Sequence, residues 1–252
     1  MSDARVPVTV VIAARNEGAE IGACVASVAW ADEVLVVEND STDDTVEQAR
    51  RAGATVFSHP FTTIGAQRNA AIARARHEWI LVLDADERAT PEVASAVTAA
   101  IGSGTQRAFR VRRRNLFFGR EIRHGGWEKD RPVRLFRHEL RYDERPVHEH
   151  VIVDGEVGLL SAPFIHEPYA TLGEYFEKLH RYSGWWATQQ HARGRRARVT
   201  DLVVRPPLRF LTMWVIRQGF RDGIHGVVLA VLGAVSVAAK YAQLWALDRR
   251  GK

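Results

Sequence analysis

The sequence predicts an α/β fold: a mostly parallel, Rossmann-like sheet followed by a helical C-terminal region. Three observations carry this. Short β-branched runs alternate with helical spacing as far as Ile101. Polar and acidic residues follow the strand-like runs, as they do at the ligand-binding edge of open α/β sheets. From Leu172 onward the apolar spacing is helical again.

The first run, Val6 to Ala13, is nearly continuous in apolar β-branched residues, the pattern of a central strand buried on both faces. Arg15-Asn16-Glu17-Gly18 ends it, and Ile21, Val25 and Val28 recur at helical spacing. Val34 to Val37 is the second strand. Ser41-Thr42-Asp43-Asp44 offers caps and first-turn acids for a helix reaching about Ala52. A short strand near Thr55 to Phe57, a helix from about Gly65 to Ala75 and a buried strand from Trp79 to Leu83 follow. Thr90-Pro91-Glu92 then starts a fourth helix, with proline at its first position. Residues 107–160 hold short β-like pieces broken by Gly, Pro and charge, which fits a segment that completes a site.

Composition narrows the class. Apolar residues are 46% and charged residues 26% of 252, which argues against disorder and against a polytopic membrane protein. The single Cys24 rules out an internal disulfide framework and a Cys-rich zinc site, and a reducing, cytoplasmic setting follows. No secretory leader is read in the first residues. The net charge of +5 is uneven: residues 191–252 hold 12 Lys and Arg against 3 Asp and Glu, whereas residues 1–190 hold 23 against 27. The basic excess therefore lies in the tail.

Several carboxylates converge after the strands: Glu17, then Glu38 and Asp40, then Asp84, Asp86 and Glu87. Such groups repel unless a cation or a hydrogen-bonding ligand sits among them, and a hard divalent ion bridging carboxylates to phosphates is the usual resolution. Asp84-Ala85-Asp86 read alone is a solvated turn; its place directly after Ile80-Leu81-Val82-Leu83 makes it a candidate site.

Together with residues 11–17 (VIAARNE), 36–45 (VVENDSTDDT) and Gly65-Ala66-Gln67-Arg68-Asn69, this motif resembles family 2 glycosyltransferases of the GT-A fold. Residues 83–87, His124 to Trp127, Arg134 to Arg137, Val147-His148-Glu149 and 219–223 resemble the branch containing lipopolysaccharide core β-1,4-glucosyltransferases. The resemblance implies an inverting, metal-assisted hexosyltransferase that uses a UDP-sugar, glucose in particular, and a lipid-linked saccharide acceptor such as the lipopolysaccharide inner core. It divides the chain into a GT-A domain, 1–170, and a helical region, 171–252. Residues 1–100 are then the nucleotide-sugar half and 101–170 the acceptor half.

By the same resemblance Ala14, Arg15, Glu17 and Glu38 hold the base and ribose, with Asn39 a competing candidate. The sequence departs from the family in having Glu38 where Asp is commoner and Asp40 where Gly is usual. Arg68 would reach the diphosphate or the nucleotide edge with a planar donor fork. Asp86 would ligate Mn²⁺ or Mg²⁺, and Asp84 would contact ribose or metal. Asp130 and Glu149 are both candidates for the base that takes the acceptor proton. Trp127, Arg134 and His148 are assigned to acceptor or diphosphate. The spacing of His124, His148 and His166 matches no compact zinc motif, leaving them diphosphate or supporting contacts.

In the tail, Arg205, Arg209, Arg217 and Arg221 fall on multiples of four, so a continuous helix would gather them on one face and lie on an anionic membrane. The 14 uncharged residues from Gly226 to Ala239 are short of the roughly 20 that span a bilayer. The expected location is thus cytoplasmic, peripheral on the inner face of the cell membrane. A sugar nucleotidyltransferase would want a Gly-rich phosphate loop with a basic residue after the first strand, which Arg15-Asn16-Glu17 does not supply. The pI of 9.7 alone would admit a nucleic-acid-binding protein, but the acidic rim argues against one, and no nucleic-acid partner is expected. Oligomeric state is left open.

Overall fold

The structure, a computed structural model, describes residues 6–104, 106–127, 131–143, 145, 149–169 and 171–250. The chain forms two compact units: the described parts of 1–113 with 130–166, and those of 114–129 with 167–252. This differs from the division at residue 170 expected from sequence: the described residues of 114–129 group with the C-terminal helices.

In the first unit the elements run β1 (Val6–Ala14), α1 (Gly18–Ser27), β2 (Ala31–Glu38), α2 (Thr45–Arg51), β3 (Thr55–Ser58), α3 (Ile64–Ile72), β4 (Trp79–Asp84), β5 (Glu87–Ala89), α4 (Pro91–Ser103) and β6 (Ala108–Arg110). β7 (Arg113–Phe117) leads into the second unit, where it pairs antiparallel with β8 (Arg120–Glu121). The chain returns through β9 (Val133–Arg137), β10 (Gly158–Leu159) and β11 (Phe164–His166). The main sheet has the order β10-β6-β9-β4-β1-β2-β3. β4, β1, β2 and β3 run parallel, as the alternation predicts, and β9 enters antiparallel beside β4.

Both sheet faces are covered, which is why β1 and β4 read as unbroken apolar runs. Val8, Val10, Ile12, Leu81 and Leu83 pack with Ile21, Val25, Val93 and Val97 from α1 and α4. Val11, Ile80 and Val82 pack on the other face with Ile72 of α3, Phe136 and Tyr142. Each such side chain, fully buried, contributes roughly 1.5–3 kcal/mol. Cys24 is one of this core and is buried.

Thr63, two residues ahead of the expected start, opens α3 by accepting from the Ala66 amide at 3.0 Å. Of the acids expected to cap α2, Asp43 serves the first amide of that helix. Asp43 accepts from the amides of Thr45 (3.1 Å) and Gly18 (3.0 Å), tying the loop after β2 to the start of α1.

The second unit comprises α5 (Leu172–Ala192), α6 (Val199–Val203), α7 (Arg205–Leu211) and α8 (Gly223–Arg250). α5 lies against α8, with the Tyr175 hydroxyl donating to the Leu232 carbonyl at 2.9 Å. The single basic face expected from Arg205 to Arg221 does not form. A wide helical turn, Thr212–Ile216, adds a residue to the winding, and Gln218 (φ 55°) and Gly223 (φ 63°) take left-handed backbone on either side of a tight turn at Gly219–Asp222. Arg209 is turned inward and half-buried. Burial, then the charge of Arg217, holds its guanidinium below its ordinary pKa.

α8 is also longer than the uncharged run within it. By length and composition Gly219–Arg249 is apolar enough to cross a bilayer, with mean hydropathy 1.8 over its most apolar window, of which 28% is buried in the protein. The polar residues that interrupt the sequence pattern have partners on α5: the Gln243 side-chain amide donates to the Ser183 hydroxyl at 2.6 Å, and the Lys240 ammonium lies 5.9 Å from the Trp186 ring centre.

Candidate active site

Strand register brings the site together. Ala13 is level with Asp84 on β4, and Ala14 with Glu38 on β2, so three strand ends share one rim. Beyond β1 and β2 the chain turns sharply at Asn16 (φ 54°) and Asp40 (φ 47°), both left-handed. Asn and Asp are among the few residues that tolerate this conformation with a side chain. This accounts for Asp40 standing where glycine is usual: the backbone demands positive φ, and Asp meets it.

The loops are fastened to each other. The Asn16 carbonyl oxygen Oδ1 accepts from the Thr42 amide at 2.8 Å, and the Glu17 amide donates to the Thr45 hydroxyl at 2.8 Å. The Glu38 carboxylate, buried, accepts from the Ser41 amide at 3.2 Å. Beside it Asn39 is buried with its Nδ2 making no hydrogen bond among the described residues. A buried donor left open is costly unless a ligand or water takes it. Arg15 projects into solvent.

At the end of β4 lies a buried ionic cluster. Asp84 accepts from Arg68 on Oδ1 (2.5 Å) and from Arg113 (2.8 Å) and Arg134 on Oδ2. Glu87, wholly buried, accepts from Arg113 Nε at 2.5 Å and, on its other oxygen, from the Asp84 amide at 2.8 Å. Arg68 turns its second terminal nitrogen to Glu149 and lies 5.0 Å from the Tyr142 ring centre. Burial alone would raise the Asp84 carboxyl pKa; Arg134, Arg68 and Arg113 overcome it and hold the group far below the usual carboxylate range. For Arg134 burial is likewise outweighed by Asp84 and Glu87, which raise its pKa well above the ordinary value. Three guanidiniums thus face three carboxylates, and the cluster carries no net charge.

Both Asp84 oxygens are therefore committed to arginine. Asp86 has different company, with its Oδ2 3.7 Å from His166 Nε2 at the end of β11. Burial first, then the positive charge of Arg113, lowers the His166 pKa, which favours the neutral imidazole that a metal ligand requires. An oxygen and a nitrogen at this separation fit a shared divalent ion, for which bonds of about 2.0–2.2 Å are usual. Among the described residues no three His, Cys, Asp or Glu side chains gather as a ready-made metal site. Asp86 and His166 would hold such an ion only with oxygens from a ligand.

Arg134, assigned to acceptor or diphosphate, is buried against Asp84 and Glu87. Trp127 belongs to the second unit, packed edge-on against Phe117 with its carbonyl accepting from the Asn115 amide nitrogen at 2.7 Å. His124 is held by Asp222 through its amide at 2.9 Å and its ring Nδ1 at 3.0 Å. Asp130 and His148 lie outside the described residues. Arg113 was missed. Its signal was the alternation Val111, Arg113, Asn115, Phe117, which turns inward while Arg112 and Arg114 stay exposed.

Gly65 closes the rim from α3. A Cβ there would lie 2.5 Å from the Asp143 carbonyl oxygen and 3.5 Å from the Glu149 Cβ. Gly65→Ala is expected to cost about 1–3 kcal/mol by overpacking and to shift Glu149, lowering both the urea midpoint and turnover. An unchanged midpoint would mean that the Asp143 segment yields freely.

Comparisons with known proteins give the family. The Glycosyl transferase family 2 profile matches residues 9–164, the span that contains every group of the ionic cluster. The lipopolysaccharide core biosynthesis glycosyltransferase LpsC of Rhizobium meliloti is 30% identical, with 98% of this chain and 96% of LpsC aligned. An uncharacterized glycosyltransferase of Rickettsia typhi is 25% identical over 96% of this chain and 87% of its own length. Among solved structures, glucosyl-3-phosphoglycerate synthase from Mycobacterium tuberculosis, in complex with Mg²⁺ and UDP, aligns with a TM-score of 0.39 and 24% identity, over 42% of this chain and 43% of that one. The chain spans less than half the length of that structure. With a profile match over more than half its residues and a relative aligned end to end, a GT-A sheet whose strand ends carry this rim places the chain in glycosyl transferase family 2.

Proposed function

We propose that this glycosyltransferase moves a hexose, glucose in particular, from a UDP-sugar to a lipid-linked saccharide of the lipopolysaccharide core type, with inversion, on the inner face of the cell membrane. The carrying observation is the charge balance of the strand-end cluster. Arg68, Arg113 and Arg134 are already neutralised by Asp84, Glu87 and Glu149, and Asp86 adds a further negative charge. Among the described residues the rim thus offers a nucleoside diphosphate no excess of positive charge, which favours its entry together with a cation. The full-length likeness to LpsC, itself named for lipopolysaccharide core biosynthesis, supports the acceptor class.

In this reading Glu38 and Asn39 receive the nucleoside, an acceptor carboxylate beside an open donor. Asp86 and His166 would hold Mn²⁺ or Mg²⁺, which would supply the positive charge that stabilises the departing diphosphate. The acceptor hydroxyl oxygen attacks the anomeric carbon, the bond from that carbon to the diphosphate oxygen breaks with its electron pair leaving on UDP, and the hydroxyl proton passes to a carboxylate. Glu149 takes that role among the described residues, with Asp130 the other candidate. Arg68 is a positioning residue that fixes Glu149 beside the end of β4.

The test is transfer and hydrolysis of UDP-glucose, UDP-galactose and UDP-N-acetylglucosamine, with and without Mn²⁺. Metal-dependent turnover of UDP-glucose with a β-linked product is expected; turnover of no sugar nucleotide, or equal turnover in chelator, would overturn the reading. Glu149→Gln should lower kcat by roughly 10²–10⁴-fold with little change in donor KM. A normal kcat in that variant would transfer the base role to Asp130.

A further inference from the structure

Helices of soluble proteins bury their apolar stripe. α7 does the reverse. Val204 at its N-cap and Leu208 and Leu211 within it recur at intervals of four and three, which places them on one side of the helix; Val215 follows in the wide turn, and each of the four is between 47% and 54% exposed. The inward side is taken by half-buried Arg209 and Phe210 and, one turn on, by buried Met213. The stripe continues into Ile216, 74% exposed, and Phe220, 51% exposed, where the left-handed Gln218 turns the chain.

A basic cavity of about 470 Å³ opens beside the start of this helix, lined by Arg195, Arg196, Arg198, Arg205, Thr200 and Asp201 with Gly194. Four guanidiniums face one carboxylate. Asp201 pairs with Arg205 at 2.5 Å, Arg195 donates to the Tyr241 hydroxyl at 2.9 Å, and Arg196 lies 3.3 Å from Asp248. The cavity keeps an excess of positive charge, a fit for phosphate oxygens. Arg205 both lines it and begins α7, so the cationic cavity and the outward apolar stripe adjoin.

We propose that this surface is a monotopic membrane anchor: the Val204–Leu208–Leu211–Val215 stripe enters the acyl boundary of an anionic bilayer, and the Arg195–Arg205 cavity seats the phosphate of a lipid headgroup. The charge complementarity of that cavity selects a lipid surface over a second copy of this basic segment, which would repel it. The inference rests on the reading of a membrane-borne acceptor, and it replaces the single arginine face expected from sequence by an apolar face with arginines at one end.

The test is cosedimentation and flotation of the full chain with phosphatidylcholine vesicles, with and without phosphatidylglycerol. Wild type should bind the anionic vesicles and far less of the neutral ones. Arg195→Gln with Arg196→Gln and Arg198→Gln should lower partitioning about 100-fold, from roughly 1 kcal/mol for each basic residue at the surface. Leu208→Asp with Leu211→Asp should abolish binding at any lipid charge. Unaltered thermal midpoints and UDP-sugar hydrolysis in solution keep these losses separate from misfolding and from failure of the donor assignment. Wild type that stays soluble with anionic vesicles at low salt overturns the proposal, as do variants that bind like wild type. So does a dimer dissolved by the leucine substitutions, or inorganic phosphate binding in the cavity without vesicle binding.

Discussion

Arg134→Met is expected to lower unfolding free energy by about 3–5 kcal/mol, the range for removing one partner of a buried ion pair. The Arg134 side chain is only 4% exposed and serves both Asp84 and Glu87. Methionine fills similar volume but leaves those carboxylates short of a donor, so what is lost is charge compensation. The pH dependence separates this from a packing defect. The Asp84 carboxyl pKa is depressed in the folded protein, so its contribution is fully present above the unfolded value of about 3.9 and falls away as pH drops through the lower folded value. The gap between wild type and variant should therefore be full at neutral pH and shrink in acid. A gap that stays undiminished after the variant's own Asp84 carboxylate has been protonated would refer the loss to packing. Breaking the exposed Arg107–Glu139 pair, 2.9 Å apart, should by contrast move stability by less than about 1 kcal/mol.

Asp86→Asn is expected to cut kcat by on the order of 10²–10³-fold, the scale of removing one group that stabilises developing charge. Stability should fall by less than in Asp84→Asn, since the Asp84 carboxylate accepts from three arginines. The dependence on Mn²⁺ concentration should move to higher metal or vanish. Asp84→Asn should behave differently, losing stability together with activity because its carboxylate anchors three arginines. Near-normal turnover by Asp86→Asn would remove the metal role from this residue, and equal destabilisation by the two variants would dissolve the distinction between them.

Much of the fold was legible because local and long-range signals agreed. Val6 to Ala14 and Trp79 to Asp84 are buried on both faces, and continuous apolar runs report that directly. Pro91 at the start of α4 is equally local information. The rim was legible too, since Glu38, Asn39, Asp84 and Asp86 follow strands at the edge where open sheets bind ligands. What sequence spacing could not supply was partnership. Asp84 and Asp86 are two residues apart, yet one is tied to arginines from α3, β7 and β9 and the other lies beside His166 of β11. Those pairings cross up to 80 residues of chain. The C-terminal helices misled for a related reason: a period of four presumes uninterrupted winding, and a wide turn plus a left-handed Gln218 resets the phase between Arg209 and Arg217.

The left-handed turns at Asn16 and Asp40 set a limit on how this rim can vary. A residue there is screened by backbone shape before any ligand meets it, and only glycine, asparagine and aspartate pass cheaply. Drift at these two positions is thus confined to a three-letter alphabet. A redesign that seeks a new nucleotide preference has its freedom at the neighbouring positions 15, 17, 38 and 39, where the same turn has already aimed the side chains.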